Sequence, residues 1–128
     1  MYLIMDNIVL ETRQDLKNYL ANTPCDVTIL KFGATWCKPC NTIAPFVDMI
    51  TNEYLKKNIN FEFIEIDVDS AMDLYAFLKK TKMINGIPAF LSYKKSLYKE
   101  ETFFIPYKST AGADQNLIRN FYKDSLGI

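Results

Sequence analysis

The sequence predicts an α/β fold in which helices cover both faces of a central mixed β-sheet. Three observations point to it. Helix-like and strand-like hydrophobic periodicities alternate along the chain. One strand-like run, Val27–Gly33, is apolar almost throughout, as is typical of a central strand that is covered on both faces. A Cys-x-x-Cys pair, Cys37 and Cys40, follows where this strand pattern gives way to a helical one.

The composition fits one globular domain that comprises residues 1–128. Its 49% hydrophobic and 14% aromatic content favours an ordered core, and no repeat or linker divides the chain. The formal net charge is +0 and basic clusters are short, so we expect no nucleic-acid partner. Residues 1–6 lack the basic region of a secretion signal, and no segment is long enough to span a bilayer. We therefore expect a cytoplasmic monomer without a membrane partner.

The first half of the chain is predicted to alternate strands and helices. Residues 8–10 should form a short strand. Thr12 and Asp15 have the spacing of a capping box, and the helix that they begin should end before Pro24. After the central strand, apolar residues recur at helical spacing from residue 43 to about residue 57. Pro45 lies inside this helix, where it removes one backbone donor and should cause a kink.

The second half continues the alternation. Residues 61–68 should form a strand, and Ser70 with Asp73 indicates the start of the next helix. Residues 89–93 should form a third long strand, with residues 97–105 as its antiparallel partner. A helix over residues 114–125 closes the chain. The predicted order is strand, helix, strand, helix, strand, helix, strand, strand, helix.

Several separately placed motifs in this order resemble the thioredoxin family. The family's active-site segment is similar to FGATWCKPC at residues 32–40, followed by IAP at residues 43–45. Asp67-Val68-Asp69 resembles the end of the family's next core strand, and Gly86-Ile87-Pro88 resembles its cis-proline loop. The resemblance covers nearly the whole chain. It implies a thioredoxin fold and a protein dithiol–disulfide oxidoreductase, whose Cys37–Cys40 disulfide does the chemistry without a further cofactor.

The two cysteines are assigned different tasks. Cys37 should be the nucleophile, because it lies at a helix N-terminus, which favours a thiolate, and because the first cysteine is expected to be exposed. Cys40, one turn further and more buried, should resolve the mixed disulfide. Pro39 should limit the backbone freedom between them. Lys38 either favours the thiolate further or points into solvent with a small effect.

Other uses of the cysteines are disfavoured. A zinc site needs four ligands, and the chain offers only Cys25 besides the pair and no histidine, so we expect no metal. The lack of histidine also excludes the usual Cys-His and Ser-His hydrolases. A purely structural disulfide that closes so small a loop would stabilise the fold little. Cys25 is most simply a spare thiol, and nothing in the sequence supports dimerisation through it.

Four residues are expected to bind substrate. The resemblance implies that Trp36 and Ile87 line a groove beside the nucleophile, that Pro88 is a cis-proline, and that Gly112 helps to form the groove. The alternatives are a core tryptophan at position 36 and an ordinary trans turn at Pro88.

The sequence departs from the family at two charged positions. Lys31 stands where the family commonly has a buried aspartate, and Glu65 stands where it commonly has the partner lysine. We expect a charge-swapped pair beneath the cysteines, because an unpaired buried cation would be costly. Glu65, or a water that it holds, would then take up the proton of Cys40. The alternative is that both side chains extend to solvent from the strand ends.

A second departure is the long apolar stretch over residues 98–111. We favour a role in covering the core. The alternative is a partner surface near the groove, because exposed aromatic patches often bind other proteins.

The expected function is the reduction of protein disulfides, with disulfide-containing proteins as targets and a disulfide reductase as electron donor. The alternatives are a protein disulfide oxidase or isomerase, and a weakly active interaction module on the same scaffold. The lack of a secretion signal and the apolar Ile87 before Pro88 weigh against an oxidase or isomerase. The intact Cys37 and Cys40 weigh against a mere binding module.

Overall fold

A computed structural model describes residues 8–128 of the chain. Residues 1–6, from which we predicted the lack of a secretion signal, lie outside the described residues. The helices are α1 (Arg13–Asn22), α2 (Lys38–Leu55), α3 (Met72–Lys80) and α4 (Gln115–Leu126). The strands are β1 (Val27–Gly33), β2 (Phe61–Asp67), β3 (Ala89–Lys94) and β4 (Lys108–Ala111). Two 3₁₀ turns, Lys95–Leu97 and Glu100–Thr102, lie between β3 and β4.

The four strands form one mixed sheet in the order β2-β1-β3-β4. Strand β1 is parallel to β2 and antiparallel to β3, and β4 is antiparallel to β3. The α/β class with a mixed central sheet is therefore confirmed. Strand β1 is central, and helices cover both of its faces, which explains its almost uninterrupted apolar character.

The alternation of side chains along the strands divides the core into two halves. One half, on the face with α1 and α3, contains Leu30 and Phe32 of β1. The other half, beneath α2 and α4, contains Val27 and Ile29 of the same strand. The helices α2 and α4 contribute Ile43, Val47, Ile50, Ile118, Phe121 and Tyr122 to that second half.

The predicted helix signals are mostly present. Thr12 caps α1 with a complete capping box to Asp15, and the helix ends two residues before Pro24. Helix α2 runs through Pro45 as one element. Helix α4 begins after Asp114, whose carboxylate accepts a hydrogen bond from the Leu117 backbone. Ser70 is not a cap, because α3 begins after Ala71 without a side-chain cap.

The predicted strand over residues 8–10 is wrong. These residues form no strand, and the adjoining Glu11 carbonyl accepts a hydrogen bond from the Leu74 backbone of α3. Leu10 is nevertheless buried in the core half on that side of the sheet. The physical reason is that contact with the helices α1 and α3 already buries the apolar Leu10 side chain, so the segment is covered without pairing to the sheet.

The predicted strand over residues 97–105 is also wrong, because the partner of β3 is β4, in which Ala111 pairs with Ala89. The chain leaves the sheet after Lys94, and the Lys95 backbone donates a hydrogen bond to the Asp26 carbonyl. Phe103 and Phe104 then pack against Phe77 of α3. Aromatic packing on a helix therefore replaces strand pairing. The segment covers core, as we favoured, although Leu97 and Ile105 stay exposed.

None of the helices within residues 8–128 is long and apolar enough to cross a membrane.

Candidate active site

Cys37 and Cys40 form a disulfide at the start of α2. Strand β1 ends at Gly33, and a turn closed by the Cys37 backbone and the Ala34 carbonyl, 3.1 Å apart, leads into the helix. Cys37 is the N-cap, and its Sγ accepts a hydrogen bond from the Cys40 backbone N–H at 3.3 Å. Lys38 and Pro39 occupy the first helical positions, where a missing proline N–H costs no hydrogen bond. The site therefore directs a helix N–H group at the Cys37 sulfur.

The structure holds the disulfide form, in which the two cysteines do not show the difference in burial that we predict for the reduced protein. Cys37 is 5% exposed and Cys40 is 4% exposed. Each sulfur lies against the other, so neither offers a large surface to solvent. Burial does not distinguish the two cysteines in this state, whereas the N-cap position of Cys37 does.

Hydrogen bonds fix the side chains of the residues just before and just after the disulfide, Trp36 and Asn41. Trp36 is 67% exposed, so it is not a core residue, and its Nε1 donates a hydrogen bond to the Asp69 carboxylate at 2.8 Å. Asn41 donates from its side chain to the Thr35 carbonyl at 3.0 Å. Lys38 is exposed. An indole that is fixed at its polar end and otherwise exposed can contact an incoming peptide.

The predicted groove residues next to the start of β3 and the end of β4 lie near one another. The Ile87–Pro88 peptide bond is cis. The Pro88 carbonyl accepts a hydrogen bond from the Gly112 backbone at 2.8 Å. Gly112 has a φ of +89°, a conformation that disfavours any residue with a side chain. Ile87 is half-buried against the core half that contains both cysteines.

Lys31 and Glu65 are neighbours in the sheet, but within residues 8–128 no ion pair joins them. Lys31 is 5% exposed, as predicted, whereas Glu65 is exposed on the edge strand β2. Both line a cavity of about 270 Å³, together with Gly33, Cys40 and others. Among the described residues, no buried side-chain nitrogen or oxygen lacks a hydrogen-bond partner. Because the Lys31 ammonium has no such partner, it is not fully enclosed, and the side chain lines this cavity.

Asp67 is a residue of this cavity that sequence reasoning missed. Its Oδ1 accepts a hydrogen bond from the Asp69 backbone at 2.9 Å. Its position in the sequence could have indicated this role, because Asp67 ends β2 and β2 is parallel to β1. The carboxyl end of β2 therefore lies beside the carboxyl end of β1, which the two cysteines follow. The cavity beneath Cys40 therefore carries one cation and two carboxylates.

A second polar cluster, at the other end of β1, was not predicted. Glu62 is only 1% exposed, and its carboxylate accepts hydrogen bonds from Tyr19, Thr23 and Thr28. Cys25 lies beside it, and burial, together with a hydrogen bond to Glu62, raises the pKa of this thiol to about 12. Glu62 lies on the same face of β2 as Ile64, because side chains alternate along a strand. The Thr23 and Thr28 donors come from elsewhere in the chain.

No group of three or more metal-binding residues occurs in the described part of the chain. The site as described is therefore a disulfide at a helix N-terminus, flanked by an exposed indole, a cis-proline loop and a charged cavity.

Comparison with known proteins finds similarity to thioredoxins in both sequence and fold. The thioredoxin family model matches residues 7–116. The mouse thioredoxin is 31% identical over 68% of this chain and 75% of its own length. A Plasmodium falciparum protein named thioredoxin 3 is 28% identical over 91% of this chain, and the match spans only 57% of that relative. The crystal structure of Trypanosoma brucei brucei thioredoxin superposes with a TM-score of 0.68 at 19% identity, covering 100% of this chain and 98% of the other.

The family match extends over most of the chain, and the reacting cysteine pair is present and disulfide-bonded. The chain therefore belongs to the thioredoxin family of thiol–disulfide oxidoreductases.

Proposed function

We propose that this protein reduces disulfide bonds in other proteins, with Cys37 as the attacking thiol and Cys40 as the resolving thiol. The observation that carries the proposal is the N-cap position of Cys37, whose Sγ accepts a helix N–H hydrogen bond. That position stabilises a thiolate. The Cys37 thiolate attacks one sulfur of a target disulfide. The target S–S bond breaks, a Cys37–target bond forms, and the other target sulfur leaves as a thiolate.

The second step returns the site to the disulfide state. The Cys40 thiolate attacks the Cys37 sulfur, the mixed disulfide breaks, and the second target sulfur leaves as a thiolate. The target has then gained two electrons, and the Cys37–Cys40 pair has lost two. A disulfide reductase must supply two electrons to start the next cycle. A cytoplasmic location suits this direction, because thiols are kept reduced there.

Target peptides bind, in this proposal, across the surface between Trp36 and the cis-proline loop. Trp36 supplies an exposed aromatic face, and Ile87 supplies a half-buried apolar side chain. Gly112 lies beside Pro88 and carries no side chain that would block the approach of a peptide backbone. These features support recognition of an extended segment that contains a disulfide.

The charged cavity supports a route for the Cys40 proton. Lys31 lines the cavity, and its positive charge favours the Cys40 thiolate over the thiol. Glu65 lines the same cavity and takes up the proton through water. Lys31 and Glu65 thus both act on Cys40 through the water of the cavity, and no direct ion pair between them is needed. Asp67 is the competing proton acceptor, since it also lines the cavity.

Single-turnover kinetics test the proton route. In Glu65→Gln, formation and decay of the mixed disulfide are followed by rapid mixing with a chromogenic aromatic disulfide. Decay should slow at least about ten-fold while formation changes by less than about two-fold, because a lost general base typically costs about a hundred-fold and Asp67 can partly replace it. Asp67→Asn is the matched control. Slower decay in Asp67→Asn alone would assign the role to Asp67, and unchanged decay in both would refute the route.

The overall activity is tested by the reduction of insulin with dithiothreitol as electron source. The wild type should accelerate insulin precipitation, and Cys37→Ser should not. An inactive wild type would instead favour the interaction module. The midpoint potential of the Cys37–Cys40 pair separates the two directions of exchange. A value nearer about −270 mV than about −120 mV supports a reductant, and a value at the oxidising end supports an oxidase.

A further inference from the structure

A cavity of about 350 Å³ lies at the end of the sheet opposite to the disulfide. Its lining includes Thr28 at the start of β1 and Tyr93 at the end of β3, which are paired in the sheet. The cysteines follow the other end of β1, about 16 Å away at the usual rise per strand residue. The volume falls in the range of about 300–1,000 Å³ that is typical of small-molecule sites. Nothing in the proposed reduction of disulfides uses this cavity.

The segment over residues 95–107 forms the outer wall of the cavity and is held in place at several points. Its ends are fixed by backbone hydrogen bonds from Lys95 to Asp26 at 2.9 Å and from Tyr107 to Ser92 at 2.7 Å. Between them, the Tyr93 hydroxyl donates a hydrogen bond to the Phe104 carbonyl at 2.9 Å. Because the wall is fixed without a ligand, little ordering entropy opposes binding.

The lining combines an apolar body with a basic rim. Tyr98, Phe103 and Tyr107 supply aromatic surface, and Leu20 adds aliphatic surface. Three lysines belong to the lining, namely Lys94, Lys95 and Lys99. Among the described residues that line the cavity there is no aspartate or glutamate. Lys94 is half-buried, and its Nζ lies 4.3 Å from the centre of the Tyr107 ring. The rim therefore attracts an anion, and the interior accepts an aromatic group.

The floor of the cavity sets the orientation of a ligand. Thr23 and Thr28 belong to the lining, and both hydroxyls donate to the buried Glu62 carboxylate. A hydroxyl whose proton is committed can only accept a further hydrogen bond. The negative charge of Glu62 behind it disfavours an anion at the floor. The anionic end of a ligand therefore belongs at the lysine rim.

We propose that this cavity is a binding site for a small organic anion with an aromatic body, which enters with its anionic group at Lys94, Lys95 and Lys99. The site is independent of the dithiol chemistry. It would let a metabolite of this class occupy the protein without contact with the cysteines.

Two fluorescent probes of similar shape test the charge requirement. Anilinonaphthalene sulfonate is an aromatic anion, and N-phenylnaphthylamine is its neutral counterpart. The anion should bind saturably with one site per chain, and its affinity should fall as salt is added, because exposed charges are screened. In the double variant Lys95→Gln, Lys99→Gln its affinity should fall about five-fold, and that of the neutral probe should change by less than about two-fold. Equal effects on both probes would overturn the anion assignment.

Amide NMR spectra test the location. Addition of anilinonaphthalene sulfonate should shift the resonances of Thr23, Thr28 and residues 94–107, and leave those of Trp36 and Cys37 unchanged. Shifts at Trp36 and Ile87 instead would place the probe in the proposed substrate groove and overturn the site. Insulin reduction by the double variant should equal that of the wild type, which keeps this result separate from the proposed function.

Discussion

The buried Glu62 should be the most sensitive charged position for the stability of this protein. The substitution is Glu62→Ala. It removes the acceptor of two buried hydroxyls, those of Thr23 at 2.8 Å and Thr28 at 3.3 Å, and of the half-buried Tyr19 hydroxyl. Each buried donor that is left without an acceptor costs about 1–3 kcal/mol. We expect the free energy of unfolding to fall by about 4 kcal/mol, counting about 2 kcal/mol for each threonine.

The assay is urea unfolding followed by far-ultraviolet circular dichroism at pH 7. Glu65→Ala is the matched control, because Glu65 lies on the same strand but is exposed. Its loss should stay within about 0.5 kcal/mol. Should Glu62→Ala prove too unstable to purify, Glu62→Gln keeps an acceptor and should lose about half as much. A loss in Glu62→Ala no larger than that in Glu65→Ala would refute the reasoning.

Three further predictions concern Cys25, Lys31 and Tyr122. The folded chain keeps the Cys25 proton up to about pH 12, whereas an unfolded thiol releases it near its ordinary pKa of 9.0. The free energy of unfolding of the wild type should therefore fall as the pH rises above about 9, by up to about 1.4 kcal/mol per pH unit from this thiol. The free energy of unfolding of Cys25→Ala should fall less steeply over the same range. Parallel pH dependences of the two proteins from pH 9 to pH 11 would contradict this. Lys31→Met should slow decay of the mixed disulfide on the order of ten-fold at pH 7, with Lys38→Gln nearly unchanged in the same rapid-mixing assay. Tyr122→Phe should cost about 1–2 kcal/mol in urea unfolding, because it removes the buried contact of 2.6 Å between the Thr51 and Tyr122 hydroxyls. Tyr54→Phe is its control, and equal losses in both would show that this hydrogen bond stabilises nothing.

Local sequence signals predicted the elements that depend on short-range chemistry. The capping box of Thr12 and Asp15 and the apolar run of β1 both act within a few residues. For the same reason, the position of Cys37 at a helix N-terminus could be predicted from the change of periodicity alone. The motifs that resemble the thioredoxin family added the substrate-binding expectations for Trp36, Ile87 and Gly112.

Both wrong strand predictions depended on contacts between segments that are distant in the chain. Residues 8–10 have strand composition, but Leu10 is buried against the helices on one face of the sheet and pairs with no strand. Residues 97–105 are rich in strand-forming aromatics, yet Phe103 and Phe104 pack on Phe77 rather than in a sheet. The equal burial of Cys37 and Cys40 arises because each sulfur shields the other in the disulfide.

The sequence by itself determined the α/β class, the apolar central strand and a dithiol at a helix N-terminus, because each follows from periodicity and residue chemistry within one segment. Only the tertiary structure decided how the charges are arranged, because that depends on residues far apart in the chain. It placed Lys31 and Glu65 around a shared cavity without an ion pair and surrounded Glu62 with hydroxyls from α1, its C-cap and β1. It also enclosed the basic cavity with residues 95–107, since contact between distant segments is a property of packing and not of local pattern.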